Sequence, residues 1–372
     1  MDVLMTQNNS GLTESYGFKN NLTEANSSEV NIPSPPDYIV ISSTILYTII
    51  FSVGIVGNIL VVVVISCSRR MKTTVNMYLL NLCIADTLVI MVCMPTALAD
   101  IFMKEVWLFG EFMCMLVPFL ENAVAHASVL TITAITFERY KVVRYPLKSV
   151  DDNMRAVKWI LLGIWFASAA SCVPYLFITK FMNATLYDGT PVKVCRVPIV
   201  ESWSKAYIIS LIIVFFVLPA LLLFALNCHI YHILHITCRQ DIEKHDSIKR
   251  HRQVGNNIAS IVGIFFLCHL PFRVVSLWLV FATLETIKRL GLERYLLLIY
   301  SARICFYINH AINPVIYNFV SSKFRQAFRD LTTRCRLFGF GKPFLNVTPI
   351  HRGSSRITFR SYTSARRGTS NL

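Results

Sequence analysis

Seven apolar runs, at about 38 to 67, 75 to 103, 112 to 142, 156 to 178, 204 to 236, 253 to 282 and 295 to 319, constrain this chain more tightly than any other feature of it. A helix needs about 20 mostly apolar residues to cross the hydrocarbon of a bilayer. In lipid, only helices and closed barrels leave no backbone group without a hydrogen bond. Runs of this length read as helices, so the expected fold is an all-α membrane protein built as a seven-transmembrane helix bundle. Composition agrees. The 372 residues are 54% hydrophobic and 15% charged, with a mean hydropathy of +0.53, which is more apolar surface than a soluble chain of this length buries.

The formal charge of +15 is confined to short segments between the apolar runs and to the C-terminal tail. That placement points to a membrane surface and an acidic partner, and to no nucleic acid. Seven spans put the two termini on opposite sides. Arg69, Arg70 and Lys72 follow the first span, Lys141, Arg144, Lys148 and Arg155 the third, and Lys244, Lys249, Arg250 and Arg252 the fifth. By the positive-inside rule these segments are cytoplasmic, as is the basic tail, so the N-terminus is expected outside. No basic segment with a short apolar core and a cleavage site opens the sequence, and the first span is expected to act as an uncleaved anchor.

Acceptor triplets for N-glycosylation at Asn8, Asn21 and Asn26, and at Asn183 after the fourth span, all fall on the expected outside. Three-residue motifs also arise by chance, and Asn346-Val347-Thr348 in the basic tail is one without meaning. Of the eleven cysteines, Cys114 and Cys195 alone fall clearly in the oxidising compartment and can pair. The expected organisation is an extracellular glycosylated segment over 1–37, the bundle over 38–320, a short amphipathic eighth helix over 321–335, and a disordered cytoplasmic tail over 336–372.

Polar residues inside apolar spans are costly, so each is a functional candidate. Asn58 in GIVGN, Asp86 in NLCIAD, Ser128, and Asn309 and Asn313 in NHAINPVIY belong to this group. A single Asn reads as interhelical glue. A buried Asp with amide and hydroxyl neighbours needs a counter-ion or a proton.

These motifs carry a resemblance. Asn58, Asp86, Cys114, Arg139 in FERY, Trp165, Pro219, Pro271 in FxxC-HLP, and NPVIY ending at Tyr317 arrive in the order and at the spacing of rhodopsin-like G-protein-coupled receptors, over about residues 38 to 335. The resemblance implies a receptor, not an enzyme. No cofactor is expected, but a sodium ion could act as an allosteric modulator at Asp86, Ser128, Asn309 and Asn313. Arg139, beside Glu138, would be the charge that meets a heterotrimeric G protein. Pro271 and Pro314 remove backbone donors inside long helices, creating bends that can serve as hinges. The chain also departs from the family pattern. His269 stands where the family usually places Trp, Asn227 where it places Tyr, and His251 where it places Glu.

For the ligand, the charged candidates are Glu121, Arg273 and Arg303, with Phe119, Phe272, Trp278, Phe306 and Tyr307 as apolar lining. Glu121 and Arg303 can also simply neutralise each other across the bundle. The segment RICFYINHAINPVIYNFVSSKFRQAF is similar to that of thyrotropin-releasing-hormone receptors, and VLTITAITFERY resembles ghrelin and neuromedin receptors. The implied ligand is an extracellular peptide, and the implied transducer is the calcium-mobilising G-protein class. The alternative is a small biogenic amine held by Glu121. A light receptor would need Lys where Tyr307 stands. Channels and transporters would show internal repeats, and His126, His229, His232 and His235 lack the spacing of a metal centre.

Beyond Tyr317, Phe324, Phe328 and Leu331 share one helical face with Lys323, Arg325 and Arg329 around it, the pattern of a helix lying on a membrane. Cys335 is a palmitoylation candidate. The Ser and Thr residues from Ser354 to Ser370 would be substrates of receptor kinases, and once phosphorylated they would form an acidic strand for arrestin.

Overall fold

The computed structural model describes residues 35–68, 71–103, 106–145, 154–185, 190–240, 245–320 and 322–337. Residues up to Leu331 form one compact unit and Thr332–Leu372 a second, of which only the last turns of a helix are described. The elements are α1 (Asp37–Cys67), α2 (Thr74–Phe102), α3 (Gly110–Arg144), α4 (Met154–Cys172), a short α5 (Tyr175–Ile178), β1 (Lys180–Thr185), β2 (Pro191–Arg196), α6 (Ser202–Ile212), α7 (Leu218–Gln240), α8 (His245–Phe281), α9 (Leu284–Leu290), α10 (Leu292–Val320) and α11 (Ser322–Leu337).

Among the described residues, seven stretches are long and apolar enough to cross a membrane: α1, α2, α3, α4 with α5, Ser202–Ile236 through α6 and most of α7, Ala259–Phe281 of α8, and Leu292–Ile316 of α10. They coincide with the seven apolar runs to within a few residues at most ends. The fourth and fifth spans depart from simple rods. The fourth is interrupted before Pro174, which cannot continue the hydrogen-bond ladder. The fifth contains a π-helical turn over Ile213–Val217, just ahead of Pro219. Large apolar side chains such as Phe166 and Phe224 are 76% and 71% exposed on the bundle's outer surface, as residues that face lipid are.

Close packing of α1 rests on two glycines. A Cβ on Gly54 would lie 2.4 Å from Ile90 Cδ1 of α2, and one on Gly57 would lie 2.8 Å from Pro314 Cβ of α10. Small residues at such positions let helix backbones approach where lipid gives no hydrophobic push between helices. The next residue, Asn58, uses that proximity. Its Nδ2 donates to Gly54 O within α1 and to His310 O in α10, each at 2.9 Å. The His310 carbonyl is free to accept because residue 314, whose N–H would ordinarily bond it, is a proline.

A second polar tie joins three helices. Trp165 Nε1 of α4 donates to Asn81 Oδ1 of α2 at 2.9 Å, and Asn81 Nδ2 donates to Thr131 Oγ1 of α3 at 3.3 Å.

Between the fourth and fifth spans lies an antiparallel hairpin that helical periodicity did not indicate. Phe181 of β1 stands opposite Cys195 of β2, and Trp107 N–H donates to Lys193 O at 2.8 Å. Cys195 is bonded to Cys114 near the start of α3, with 5.5 Å between the Cα atoms. The bridge expected from compartment alone therefore ties the hairpin to one end of the bundle. At the opposite end, Phe324 of α11 is buried, with Ala327 and Phe328 packed against the core that Tyr78, Ile132 and Ile316 help to form.

Candidate functional site

Charged and polar residues form a column through the bundle, in three layers that start beneath the hairpin. In the first, Arg303 of α10 lies between two carboxylates, 3.6 Å from Asp100 of α2 and 3.6 Å from Glu121 of α3. Tyr307, one helical turn below Arg303, donates its hydroxyl to Glu121 Oε1 at 2.5 Å and meets Tyr47 of α1 edge to face. The facing of Glu121 and Arg303 across the bundle is thus present, but with a second acid attached. Two carboxylates share one guanidinium. Asp100 went unread in the sequence because a charge near the end of an apolar span looks like a solvated boundary residue.

Arg273 sits apart from that triad. It is 7% exposed, and its Nη1 donates to the neutral amide oxygen of Asn122 at 3.2 Å. Its Nε has no partner among the described residues. A buried guanidinium whose partner among the described residues is a neutral amide is incompletely compensated, which suits it to donate to a carboxylate or carbonyl of a bound molecule.

The second layer is aromatic. Phe272 packs on Phe306, with ring centroids 5.1 Å apart, and Phe306 meets His269 at 5.3 Å and His310 at 5.0 Å. His269 also stacks on Phe265 at 4.2 Å, with its Nδ1 hydrogen-bonded to Phe265 O at 2.9 Å. The residue that stands in place of the expected Trp is therefore wholly buried and locked to its own helix. Beside the π-helical turn, His126 of α3 stacks on Phe215 at 3.9 Å and pairs its Nδ1 with Ser171 Oγ at 3.0 Å. This His belongs to the packing between helices. Of the named apolar lining, Trp278 instead faces a groove between α8, α9 and α10 that also includes Arg289 and Arg294.

The third layer centres on Asp86. Its Oδ1 pairs with His310 Nδ1 at 2.7 Å, and its Oδ2 accepts from Asn313 Nδ2 at 2.8 Å. Asn313 was expected here and His310 was not, although the two lie three residues apart and so share a helix face. Ser128 and Asn309 are also buried. Ser128 Oγ has no hydrogen-bond partner among the described residues, and Asp86 bonds to neither of them.

Towards the other end of the bundle, Arg139 is half-buried on α3. Beside it, the Glu138 carboxylate pairs with Lys141 Nζ at 3.0 Å. Asn227 donates to Leu223 O of its own helix at 2.8 Å, so its amide is turned back onto α7. Pro271 and Pro314 lie inside α8 and α10, where hinges were expected. The backbone at Tyr317 and Cys335 is helical. Asn183 is exposed on β1, whereas Asn8, Asn21, Asn26 and the serines and threonines of the tail lie outside the described residues.

Residues 57–317 match the family model of the 7 transmembrane receptor (rhodopsin family). Among curated proteins, the chain is 30% identical over 307 residues to a QRFP-like peptide receptor of Branchiostoma floridae, covering 79% of this chain and 77% of that protein. It is 33% identical over 285 residues to the growth hormone secretagogue receptor type 1 of Oryctolagus cuniculus, covering 75% and 77%. It is 31% identical over 327 residues to the thyrotropin-releasing hormone receptor of Gallus gallus, covering 80% of each chain.

Proposed function

Because the chain belongs to the rhodopsin family of seven-transmembrane receptors, we propose that it is a plasma-membrane receptor that binds an extracellular peptide and activates a heterotrimeric G protein. The N-terminus and the hairpin face outward, and the end that carries Arg139 faces the cytosol. Relatives named for a peptide and for thyrotropin-releasing hormone support the ligand class. The calcium-mobilising G-protein class is part of the same proposal.

One observation carries the ligand reading: the charges beneath the hairpin are split into two unlike centres. The Asp100, Glu121 and Arg303 group holds two acids for one base, whereas Arg273 is a base bonded to a neutral amide. A peptide can present a cationic group to the first and a carboxylate or backbone carbonyl to the second. A small amine could answer the surplus acid of the first centre, but it brings no acceptor for Arg273. A ligand that answers both centres, as a peptide can, is favoured over the amine alternative.

Transmission follows from the column. A ligand that draws Glu121 or Arg303 toward itself pulls on Tyr307, which touches Phe306, and Phe306 packs on both His269 and His310. Pro271 and Pro314 give α8 and α10 bends at these depths. Rotation about the bends moves the ends near Arg139 apart and admits a partner helix of the G protein. Arrestin and receptor kinases act on the tail, palmitate on Cys335 holds α11 to the bilayer, and glycans occupy Asn183 and one or more of Asn8, Asn21 and Asn26.

A peptide panel applied to cells expressing the receptor, with calcium and cyclic-AMP readouts, tests the proposal. An active peptide should lose potency on Arg273→Ala. If only small amines activate it, and Glu121→Gln alone abolishes the response, the peptide reading fails.

A further inference from the structure

The family resemblance implies sodium at Asp86, but the donor set in this chain does not fit that ion. Hard cations take oxygen lone pairs directed at a common point. At 2.7 Å between His310 Nδ1 and Asp86 Oδ1, one proton lies between the two atoms, so that lone pair of Oδ1 is occupied whichever atom holds the proton. The other carboxylate oxygen accepts an amide N–H from Asn313, which presents hydrogens to the pocket where a cation would need an oxygen. Of the expected ligands, the Ser128 hydroxyl and the Asn309 amide bond neither carboxylate oxygen of Asp86, and two neutral groups without the carboxylate are an incomplete shell for a cation.

His310 is also unable to step aside cheaply. Its side chain is fully buried against Asp86, and its ring is packed edge-on against Phe306. Its own carbonyl is bonded by Asn58, which fixes the backbone from which the ring projects. Moving the imidazole would break the Asp86 bond and the aromatic contact together.

We infer that His310 holds the position a cation would take, and that the pocket at Asp86 is closed to sodium. The interhelical bond from α2 to α10 is then built into the chain, and its strength is independent of the external salt. The inference concerns the bundle's own residues and stands apart from the identity of the ligand.

The test needs no ligand. Full-length receptor in detergent is melted in NaCl and in KCl at equal ionic strength, and the two melting temperatures of the wild type should coincide. His310→Ser replaces the ring with a small oxygen-bearing side chain and releases Oδ1. It should gain a rise in melting temperature that is specific to sodium and saturates, and Asp86→Asn added to it should remove that rise. If His310→Ser does not fold, His310→Ala opens the same space. A saturable sodium-specific rise in the wild type that Asp86→Asn abolishes overturns the inference. So does a folded His310→Ser or His310→Ala receptor that responds to the two salts alike.

Discussion

Asn58→Ala isolates the joint between α1 and α10. The Asn58 amide bonds two carbonyls at 2.9 Å, but the two bonds are unequal in consequence. Gly54 O remains available to the helix's own N–H at residue 58, whereas His310 O has no such donor because Pro314 lacks an N–H. Removing the amide therefore leaves one buried acceptor unpaired. An unmade buried hydrogen bond costs about 1–3 kcal/mol in soluble proteins, and interhelical bonds in membranes are worth about 0.6 kcal/mol on average. A loss of about 1–2 kcal/mol is expected, measured as a lower melting temperature of the detergent-purified receptor. Asn58→Asp should cost more, since it sets an acceptor against two carbonyls. The decisive comparison is Asn58→Ala in a Pro314→Ala background, where residue 314 regains its N–H and can bond His310 O itself. There the cost of Asn58→Ala should shrink by about 1 kcal/mol. Equal costs in both backgrounds would refute the assignment of Asn58 as the proline's replacement donor.

Gly54→Leu should destabilise the bundle by at least about 1–3 kcal/mol through overpacking, and Ile90→Ala should recover part of the loss if the 2.4 Å approach is the cause. Cys114→Ser and Cys195→Ser should each sharply reduce high-affinity peptide binding at the cell surface, and unchanged affinity in both would show that the hairpin need not be pinned. Arg303→Ala leaves Asp100 and Glu121 without their shared cation and should cost about 3 kcal/mol or more in stability, with partial recovery when Glu121→Gln is added. Truncation after Arg352 should preserve G-protein signalling but reduce agonist-driven arrestin recruitment; normal recruitment would place the phosphorylation sites elsewhere.

The seven spans were legible because lipid imposes a length and a composition that periodicity cannot disguise. The disulfide was legible from compartment, and Glu121 with Arg303 from the cost of burying unlike charges apart. What stayed hidden depends on contacts distant in sequence. His310 lies between two residues that drew attention as amides, yet its partner Asp86 is 224 positions away. Its face-sharing with Asn313 was the available signal. The carbonyl to which Asn58 donates has no side-chain signature at all, and only Pro314 hints at it. The hairpin of β1 and β2 escaped because its strands are short and its register is set by Cys195 and the Trp107 backbone contact rather than by alternation.

In the proposed function, peptide binding beneath the hairpin opens the end near Arg139 to a G protein. Its most direct test is nucleotide exchange on a purified heterotrimer, with the receptor reconstituted in nanodiscs and an active peptide from the panel added. Exchange should accelerate with the peptide, and the acceleration should be lost on Arg139→Ala while peptide affinity measured without G protein persists. A receptor that binds the peptide with high affinity and leaves exchange unchanged for every heterotrimer class would contradict the account.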